Sequence, residues 1–237
     1  MNFGSTSSPR SSPDFAAARN EMVARQIRSR GIISSSVLDA MAAVPRHEFV
    51  PAEALASAYS DEALPIGCGQ TISQPFMVAA MTNALELCGT ERVLEIGGGC
   101  GYQAAVLSLL AQDVIVVELQ PALAGASRER LARLGYAKVR VVDGDGSLGW
   151  PARAPYDAIL VSAAAPAIPP PLIEQLAEGG RLVVPVGSSD RQNLLRIVKS
   201  AGGLAEESLC ACRFVPLLGR HGWPASAPEA IPGSAAQ

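Results

Sequence analysis

The sequence has few of the residues that build metal or disulfide sites. Its two histidines are His47 and His221, and its five cysteines lack the paired spacing of a zinc site or a disulfide framework. We therefore expect no metal site, and we expect reduced thiols in a cytoplasmic protein.

Long apolar runs and a strong charge bias are also absent. No run reaches the roughly 20 apolar residues of a membrane-spanning helix. The first letters, MNFGSTSSPRSSPDF, lack the apolar core of a secretory signal. The net charge of −3 gives no bulk attraction to nucleic acid or to an anionic membrane. We accordingly expect neither of these partners.

The distribution of serine, proline and glycine predicts the domain organisation. Residues 1–18 and 221–237 have the composition of disordered tails, which leaves a single domain over residues 19–220. In the N-terminal half, helical spacing predicts a helix that ends at Gly31, a serine-capped second helix over 34–44 and a third helix that begins at Pro75. The stretch before Pro75 is interpreted as loop-rich.

From residue 92 the chain alternates between apolar strands and helices. This alternation predicts right-handed βαβ units and a mostly parallel sheet covered on both faces. Residues 192–203 fit a strand or a helix equally well, and a final strand is expected within 205–219. The predicted strands are 92–97, 113–119, 138–145, 156–165 and 181–187, and the predicted helices are 102–111, 121–135 and 169–180.

A glycine-rich turn joins the first of these strands to its helix in RVLEIGGGCGYQA. Such a turn lets a ligand approach the backbone closely, and parallel sheets bind ligands beyond the carboxyl ends of their strands. The sequence therefore predicts a nucleotide-type site formed by Gly97, Gly98, Gly99, Cys100 and Gly101.

Two acids discriminate between candidate nucleotides. Glu118 follows Gly99 by 19 residues, a spacing that also suits the ribose-binding acid of an NAD site. Glu95, however, precedes the glycines directly, where a carboxylate is poorly placed beside a pyrophosphate and well placed beside an amine. This favours S-adenosylmethionine without excluding NAD. Asp143 or Asp145 is expected near the adenine amino group.

Several longer motifs resemble those of the protein-L-isoaspartate O-methyltransferase family, in family order over residues 21–219. They include MVARQIRSRGI, VLDAMAAVPRHEFVP, AYSDEALPIGCGQTISQP, VLEIGGGCGYQAAVLS and RFVPLLG. The resemblance implies a monomer with a Rossmann-like, S-adenosylmethionine-dependent methyltransferase fold and an N-terminal helical extension. It also implies methylation of the free carboxylate of L-isoaspartyl residues in damaged proteins and peptides, which starts repair through a succinimide.

The resemblance also assigns site residues. Ser73 falls on the active-site serine, and Arg213 and Val215 fall in a segment, interpreted as a strand, that closes the cleft and contacts substrate. The positions implied for the cofactor are Thr71, Ile72, Ser73, Glu95, Gly97, Gly98, Gly99, Cys100, Gly101, Glu118, Leu119, Asp145 and Gly146. The chain departs from the family pattern at Gly98, Cys100 and Leu119, where threonine, serine and arginine are usual.

Alternatives remain open for individual residues and for the function. Ser73 is interpreted as a positioning group for an acceptor that needs no strong base, or as the N-cap of the helix at Pro75. Arg46 and Arg213 are candidate carboxylate partners, whereas His47 and Cys100 are interpreted as non-catalytic. Trp150 and Tyr156 are expected to pack in the core or at the cleft edge. The alternative functions are an NAD-linked oxidoreductase and a paralogue that binds without turnover.

Overall fold

The computed structural model describes residues 14–224, and it begins with the N-terminal helical extension. Helix α1 spans Phe15–Glu21 and is capped by Asp14, whose Oδ1 accepts from the amide of Ala17 at 3.0 Å. The chain continues as a π-helical segment, Met22–Ile27, and a 3₁₀ turn, Arg28–Arg30. It ends at Gly31, with φ of 98°, as the sequence predicts. The predicted tail boundary at residue 18 is wrong, because residues 15–18 are helical; residues 1–13 lie outside the described range.

The next segments are two helices, with 3₁₀ turns and a β-hairpin between them. Helix α2, Ser35–Ala43, begins after Ser34, whose side chain makes no capping hydrogen bond. The loop-rich stretch contains 3₁₀ turns at Arg46–Phe49 and Ala52–Ser57. It also contains an antiparallel hairpin that the sequence analysis missed, formed by β1, Leu64–Gly67, and β2, Gln70–Ile72. Helix α3, Pro75–Ala84, starts at Pro75 as predicted.

A seven-stranded sheet forms the centre of the fold. Its strands are β3 Arg92–Ile96, β4 Asp113–Glu118, β5 Val139–Asp143, β6 Tyr156–Val161, β7 Leu176–Gly187, β8 Gln192–Ser200 and β9 Gly203–Cys212. They lie in the order β5-β4-β3-β6-β7-β8-β9. Strands β3 to β7 pair in parallel, and β8 and β9 are antiparallel to their neighbours. The predicted mostly parallel α/β fold is confirmed.

Apolar residues on both faces of the sheet are buried, as expected of parallel strands. Val93 and Leu94 on β3 belong to separate clusters on opposite faces, and both are fully buried. Helices α4 Tyr102–Ser108, α5 Pro121–Arg133 and α6 Pro170–Glu174 follow β3, β4 and β6 in the chain. In the range 14–224, no helix is long and apolar enough to cross a membrane.

Several boundaries in the C-terminal half differ from the predictions. Helix α6 ends at Glu174, well before the predicted residue 180, and Leu176 already pairs with Tyr156 in the sheet. The ambiguous segment 192–203 contributes strand β8. Residues 213–217 lie beyond the end of β9, so their interpretation as a strand is wrong. The predicted tail boundary at 221 is also too early, since Trp223 pairs with Leu218. Residues 225–237 lie outside the described range.

Candidate active site

The glycine-rich turn connects β3 to α4 at the carboxyl edge of the sheet. The backbone φ angles of Gly97, Gly99 and Gly101 are 82°, 52° and 89°, values that residues with a Cβ rarely adopt. The turn is closed by a hydrogen bond from the amide of Gly101 to the carbonyl of Gly98 at 2.8 Å. These three positions therefore require glycine for conformational reasons.

Gly98 is glycine for a different reason. Its φ is not positive, but a Cβ at this position would overlap Cγ1 of Val116, a buried residue of the neighbouring strand β4. The threonine that the family resemblance led us to expect at this position therefore has no room here while Val116 keeps its place.

The carboxylate of Glu118 holds the turn from the end of β4. Its Oε2 accepts a hydrogen bond from the amide of Gly99 and its Oε1 accepts one from the amide of Gln120, both at 2.8 Å. Only 5% of Glu118 is exposed. The acid is thus fixed at the pocket wall, and carboxylate oxygens can accept further hydrogen bonds from a ligand.

Glu95 lies at the same edge, one residue before the end of β3, and is fully buried. The hydroxyl of Ser162 donates to its Oε1 at 3.4 Å, while Oε2 has no partner among the described residues. Burial raises the pKa of Glu95 well above 4.5, and the nearby charge of Glu118 raises it further, against the hydrogen bond from Ser162. A buried carboxyl with a free oxygen is costly by itself and is suited to a cationic ligand group.

The pocket beside these two acids has an unusual charge composition. Among the described residues that line it, none is lysine, arginine or histidine. A pyrophosphate would find two carboxylates here and no cationic side chain, whereas an ammonium or sulfonium group would find a complementary field. The lining therefore favours S-adenosylmethionine over NAD.

Most of the predicted cofactor positions meet in this pocket. The predicted residues that line it are Thr71, Ile72, Ser73, Glu95, Gly97, Gly98, Gly99, Cys100, Glu118, Leu119, Gly146 and Val215. Gly101 lies behind it, where a Cβ would contact Leu131 at 3.1 Å. Arg213 does not line it but faces a neighbouring cleft.

Asp145 was expected to face the adenine, but its carboxylate is engaged elsewhere. Oδ1 accepts from the amide and hydroxyl of Ser147 at 2.9 and 2.7 Å, and Oδ2 accepts from the amide of Arg220 at 2.8 Å. Asp145 thereby fastens the C-terminal segment, whose Leu217 and Leu218 cover one side of the pocket.

A second cavity of about 460 Å³ adjoins the pocket. Arg30 of the N-terminal extension forms one part of its wall, pairing with Asp61 at 3.1 Å and stacking 3.6 Å from the ring centroid of Phe76. Arg213 forms another part. The residues that line both cavities are Thr71, Ser73, Ser162 and Val215. This shared border is where a bound cofactor and an acceptor can meet, and we call it the junction.

Ser73 lies at the junction and not at the helix cap. Gln74 occupies the N-cap position of α3, and the helix start has no side-chain capping hydrogen bond. The interpretation of Ser73 as an N-cap is therefore wrong, and its hydroxyl has no structural hydrogen bond among the described residues.

Other candidates have structural surroundings. Arg46 is fully buried, donates to the carbonyl of Ala58 at 2.8 Å and stacks 5.0 Å from the ring of Tyr102, so it is not a carboxylate partner in the cleft. His47 stacks on Phe15 with ring centroids 4.0 Å apart. Burial raises the pKa of the Cys100 thiol, which is opposite to what a nucleophile needs.

Tyr156 lies in the core and Trp150 packs, partly buried, against the same cluster, in agreement with the expected core packing. The hydroxyl of Tyr156 donates to the carbonyl of Trp150 at 2.6 Å, and Tyr156 is fully buried.

Comparison with known proteins gives the family of the chain. A family model described as Protein-L-isoaspartate(D-aspartate) O-methyltransferase matches residues 17–230. A protein-L-isoaspartate O-methyltransferase from Roseiflexus castenholzii is 56% identical over 210 residues, 89% of this chain and 96% of that protein. One from Methanoculleus marisnigri is 54% identical over 205 residues, 86% of this chain and 93% of that protein.

Solved structures give the same result. A protein-L-isoaspartate O-methyltransferase superposes with a TM-score of 0.79 at 32% identity, covering 86% of this chain and 67% of that chain. A Plasmodium falciparum protein, described as a beta-aspartate methyltransferase in complex with S-adenosyl-L-homocysteine, gives 0.72 at 26% identity, covering 84% and 98% of the two chains.

The parallel sheet, the glycine turn and the acid-lined pocket define an S-adenosylmethionine-dependent methyltransferase. The family match and the similarity over most of the chain then identify the group within this class. The chain belongs to the protein-L-isoaspartate(D-aspartate) O-methyltransferase family.

The sequence analysis missed some residues of the site. Ser162 lines both cavities, and Arg30, Asp61 and Phe76 build the outer wall of the cleft. Ser162 directly follows β6, and its position beyond a parallel strand was the available signal. Arg30 and Asp61 come together only in the tertiary structure.

Proposed function

We propose that this chain transfers a methyl group from S-adenosylmethionine to the free carboxylate of L-isoaspartyl residues in damaged proteins and peptides. The observation that carries the proposal is the junction: Ser73 connects a pocket bordered by Glu95 and Glu118 to a cleft open to a peptide. Family membership supports the same activity.

Residues of the pocket fit the cofactor by their chemistry. The free Oε2 of Glu95 suits the cofactor's amino group, and Glu118 suits its ribose hydroxyls. Gly146 lines the pocket and packs directly against Ile96, where a Cβ would overlap that side chain. When bound, the cofactor supplies an electrophilic methyl group on a sulfonium.

The residues at the junction position the acceptor. An isoaspartyl carboxylate is already ionised at neutral pH, so no general base is required. Ser73 has a hydroxyl free to donate to a carboxylate oxygen, and Val215 offers an apolar surface that excludes water. Arg213 is exposed at the rim of the cleft, where we assign it to the substrate. The catalytic contribution is therefore alignment and exclusion of water.

The product determines the biological outcome. The carbonyl carbon of the methyl ester is more electrophilic than that of the carboxylate, and methoxide can leave from it. The neighbouring peptide nitrogen therefore attacks this carbon, loses its proton and expels methanol, which forms a succinimide without further catalysis. Hydrolysis of the succinimide returns part of the material to normal aspartate.

Reversed-phase chromatography coupled to mass spectrometry tests this function, because the isoaspartyl and aspartyl peptides have the same mass and are separated by retention. A synthetic isoaspartyl peptide incubated with the protein and S-adenosylmethionine should pass through a methyl ester and a succinimide to a mixture containing the aspartyl form. Absence of the ester, from folded protein that binds S-adenosylhomocysteine in a separate assay, would overturn the proposal.

We also propose that the protein acts as a cytoplasmic monomer without a nucleic-acid partner. All five cysteines are free, which suits a reducing compartment, and the net charge of −3 offers no general attraction to a polyanion. Light scattering of the purified chain, with and without added nucleic acid, measures the oligomeric state and the absence of binding.

A further inference from the structure

Ser162 lies at the junction, and no role in binding the cofactor or the acceptor has yet been assigned to it. It is the first residue after β6, and its amide donates to the carbonyl of Ile96 at 2.8 Å, which ties it to the end of β3. A Cβ atom added to Gly97 would lie 3.8 Å from the Cβ of Ser162. Ser162 is thus held against the start of the glycine turn, at the junction of the two cavities.

The hydroxyl of Ser162 makes a single contact with an ionisable group. It donates to Oε1 of Glu95 at 3.4 Å, and no other donor to the Glu95 carboxyl is found among residues 14–224. Oε2 is buried and lacks a partner. The hydrogen bond therefore divides the carboxyl into one oxygen that is held and one that is free.

We propose that Ser162 is a positioning residue for the methyl transfer, holding Oε1 of Glu95 so that Oε2 is presented to the cationic amino group of the cofactor. This inference rests on the proposed function, since it assigns the amino group of S-adenosylmethionine to Glu95. Ser162 acts through Glu95 and not on the acceptor carboxylate.

The charges around Glu95 explain why one hydroxyl matters. Glu118 from β4 is the charged group that acts on Glu95, and Glu95 in turn acts on the Cys100 thiol of the turn. Neither can supply a positive charge. Burial and Glu118 raise the pKa of Glu95, and the hydrogen bond from Ser162 lowers it. Loss of the hydroxyl should keep Glu95 protonated up to a higher pH, at which it offers less attraction to an ammonium group.

Titration calorimetry with S-adenosylhomocysteine, which retains the amino group, tests the proposal across a range of pH. Ser162→Ala should weaken binding about tenfold at neutral pH, the effect of losing one hydrogen bond to a charged group. The pH at which affinity is half-maximal should move upward. Ser162→Thr, which keeps the hydroxyl, should preserve both. In steady state, the KM for the isoaspartyl peptide should stay unchanged while kcat/KM for S-adenosylmethionine falls.

Two controls separate positioning from general damage. Ser108→Ala removes the hydroxyl of a buried serine that lies outside the pocket and donates to the carbonyl of Ala105 within α4, and it should leave binding unchanged. In a Glu95→Gln background, Ser162→Ala should have little further effect on binding, since the two residues act as a pair.

The outcomes are distinguishable from failure of the proposed function. Equal affinity and an equal pH profile in wild type and Ser162→Ala would overturn the role of Ser162 while leaving isoaspartyl methylation intact. Absence of methyl transfer by wild type that binds S-adenosylhomocysteine would instead overturn the proposed function.

Discussion

The substitution Gly98→Ala tests why this chain has glycine at a position where the family resemblance led us to expect threonine. Gly97, Gly99 and Gly101 all have positive φ, whereas Gly98 lies outside this left-handed region, which residues other than glycine rarely adopt. Any effect of the substitution must therefore come from the space around the new methyl group.

The structure gives the magnitude of this effect. The new Cβ would overlap Cγ1 of Val116, well inside the roughly 3.5–4.0 Å at which carbon atoms pack best. Val116 cannot rotate away cheaply, because it is β-branched and only 1% exposed. Overpacking of this kind costs about 1–3 kcal/mol, against a gain of about 0.4–1 kcal/mol from a stiffer unfolded chain. We expect a net loss of about 1–2 kcal/mol in the free energy of unfolding.

Urea denaturation of the unliganded protein measures this loss, and Gly125→Ala is the matched control. Gly125 lies inside α5, and a Cβ there would have no neighbour within 4 Å. The same chemical change should therefore stabilise the protein by about 1 kcal/mol at Gly125. In a double-mutant cycle, Val116→Ala should reduce the cost of Gly98→Ala by about 1 kcal/mol or more. A Gly98→Ala variant as stable as wild type, or a cost that is unchanged in the Val116→Ala background, would refute the steric argument.

Three further predictions concern the site. Ser73→Ala should lower turnover far more than the melting temperature; unchanged turnover would remove Ser73 from the mechanism. Glu95→Gln should weaken S-adenosylhomocysteine binding but stabilise the unliganded protein at neutral pH. The reason is that the raised pKa of Glu95 makes wild type lose stability as the pH rises above 4.5, and glutamine does not ionise. Melting curves that show no stabilisation by Glu95→Gln, or a larger one at acidic pH, would contradict this. Buried Cys100 should be alkylated more slowly than exposed Cys68, and S-adenosylhomocysteine should slow the alkylation of Cys100 further. Peptide mapping measures both rates, and a Cys100 rate that does not respond to S-adenosylhomocysteine would place this residue outside the pocket wall.

The alternation of apolar strands with helices was sufficient to predict the sheet and the position of its glycine turn. The positions of strand β3 and of the start of α3 at Pro75 were predicted correctly. A buried parallel strand is a continuous apolar run, and proline is common at the first position of a helix, so both are recognisable in the sequence. The hairpin β1–β2 was missed, since its strands are only four and three residues long.

The C-terminal half shows where local patterns are insufficient. The sequence from Leu176 to Gly180 has helical spacing, yet Leu176 pairs with Tyr156 because β7 begins beside β6. Strand pairing is a tertiary contact, and such contacts override local propensity. For the same reason the sequence could not show that Leu218 and Trp223 pair beyond the predicted domain boundary.

Within the site, the sequence predicted which acidic residues lie near the pocket better than it predicted their hydrogen-bond partners. Glu95 and Glu118 were expected to face a ligand, and both lie at the pocket. Asp145 lies two residues beyond the end of β5, and its carboxylate accepts hydrogen bonds from Ser147 and from the amide of Arg220, 75 residues further along the chain. Spacing predicts which edge of the sheet a side chain occupies, whereas its hydrogen-bond partner depends on the complete fold.

The most direct test of the account is a comparison of two peptides that differ only in one linkage. Labelled methyl transfer from S-adenosylmethionine should be rapid to an isoaspartyl peptide and near background for its normal aspartyl twin, and Ser73→Ala should abolish most of the difference. Equal transfer to both peptides, or no transfer to either by folded protein that binds S-adenosylhomocysteine, would contradict the assignment of the junction as the site of isoaspartyl methylation.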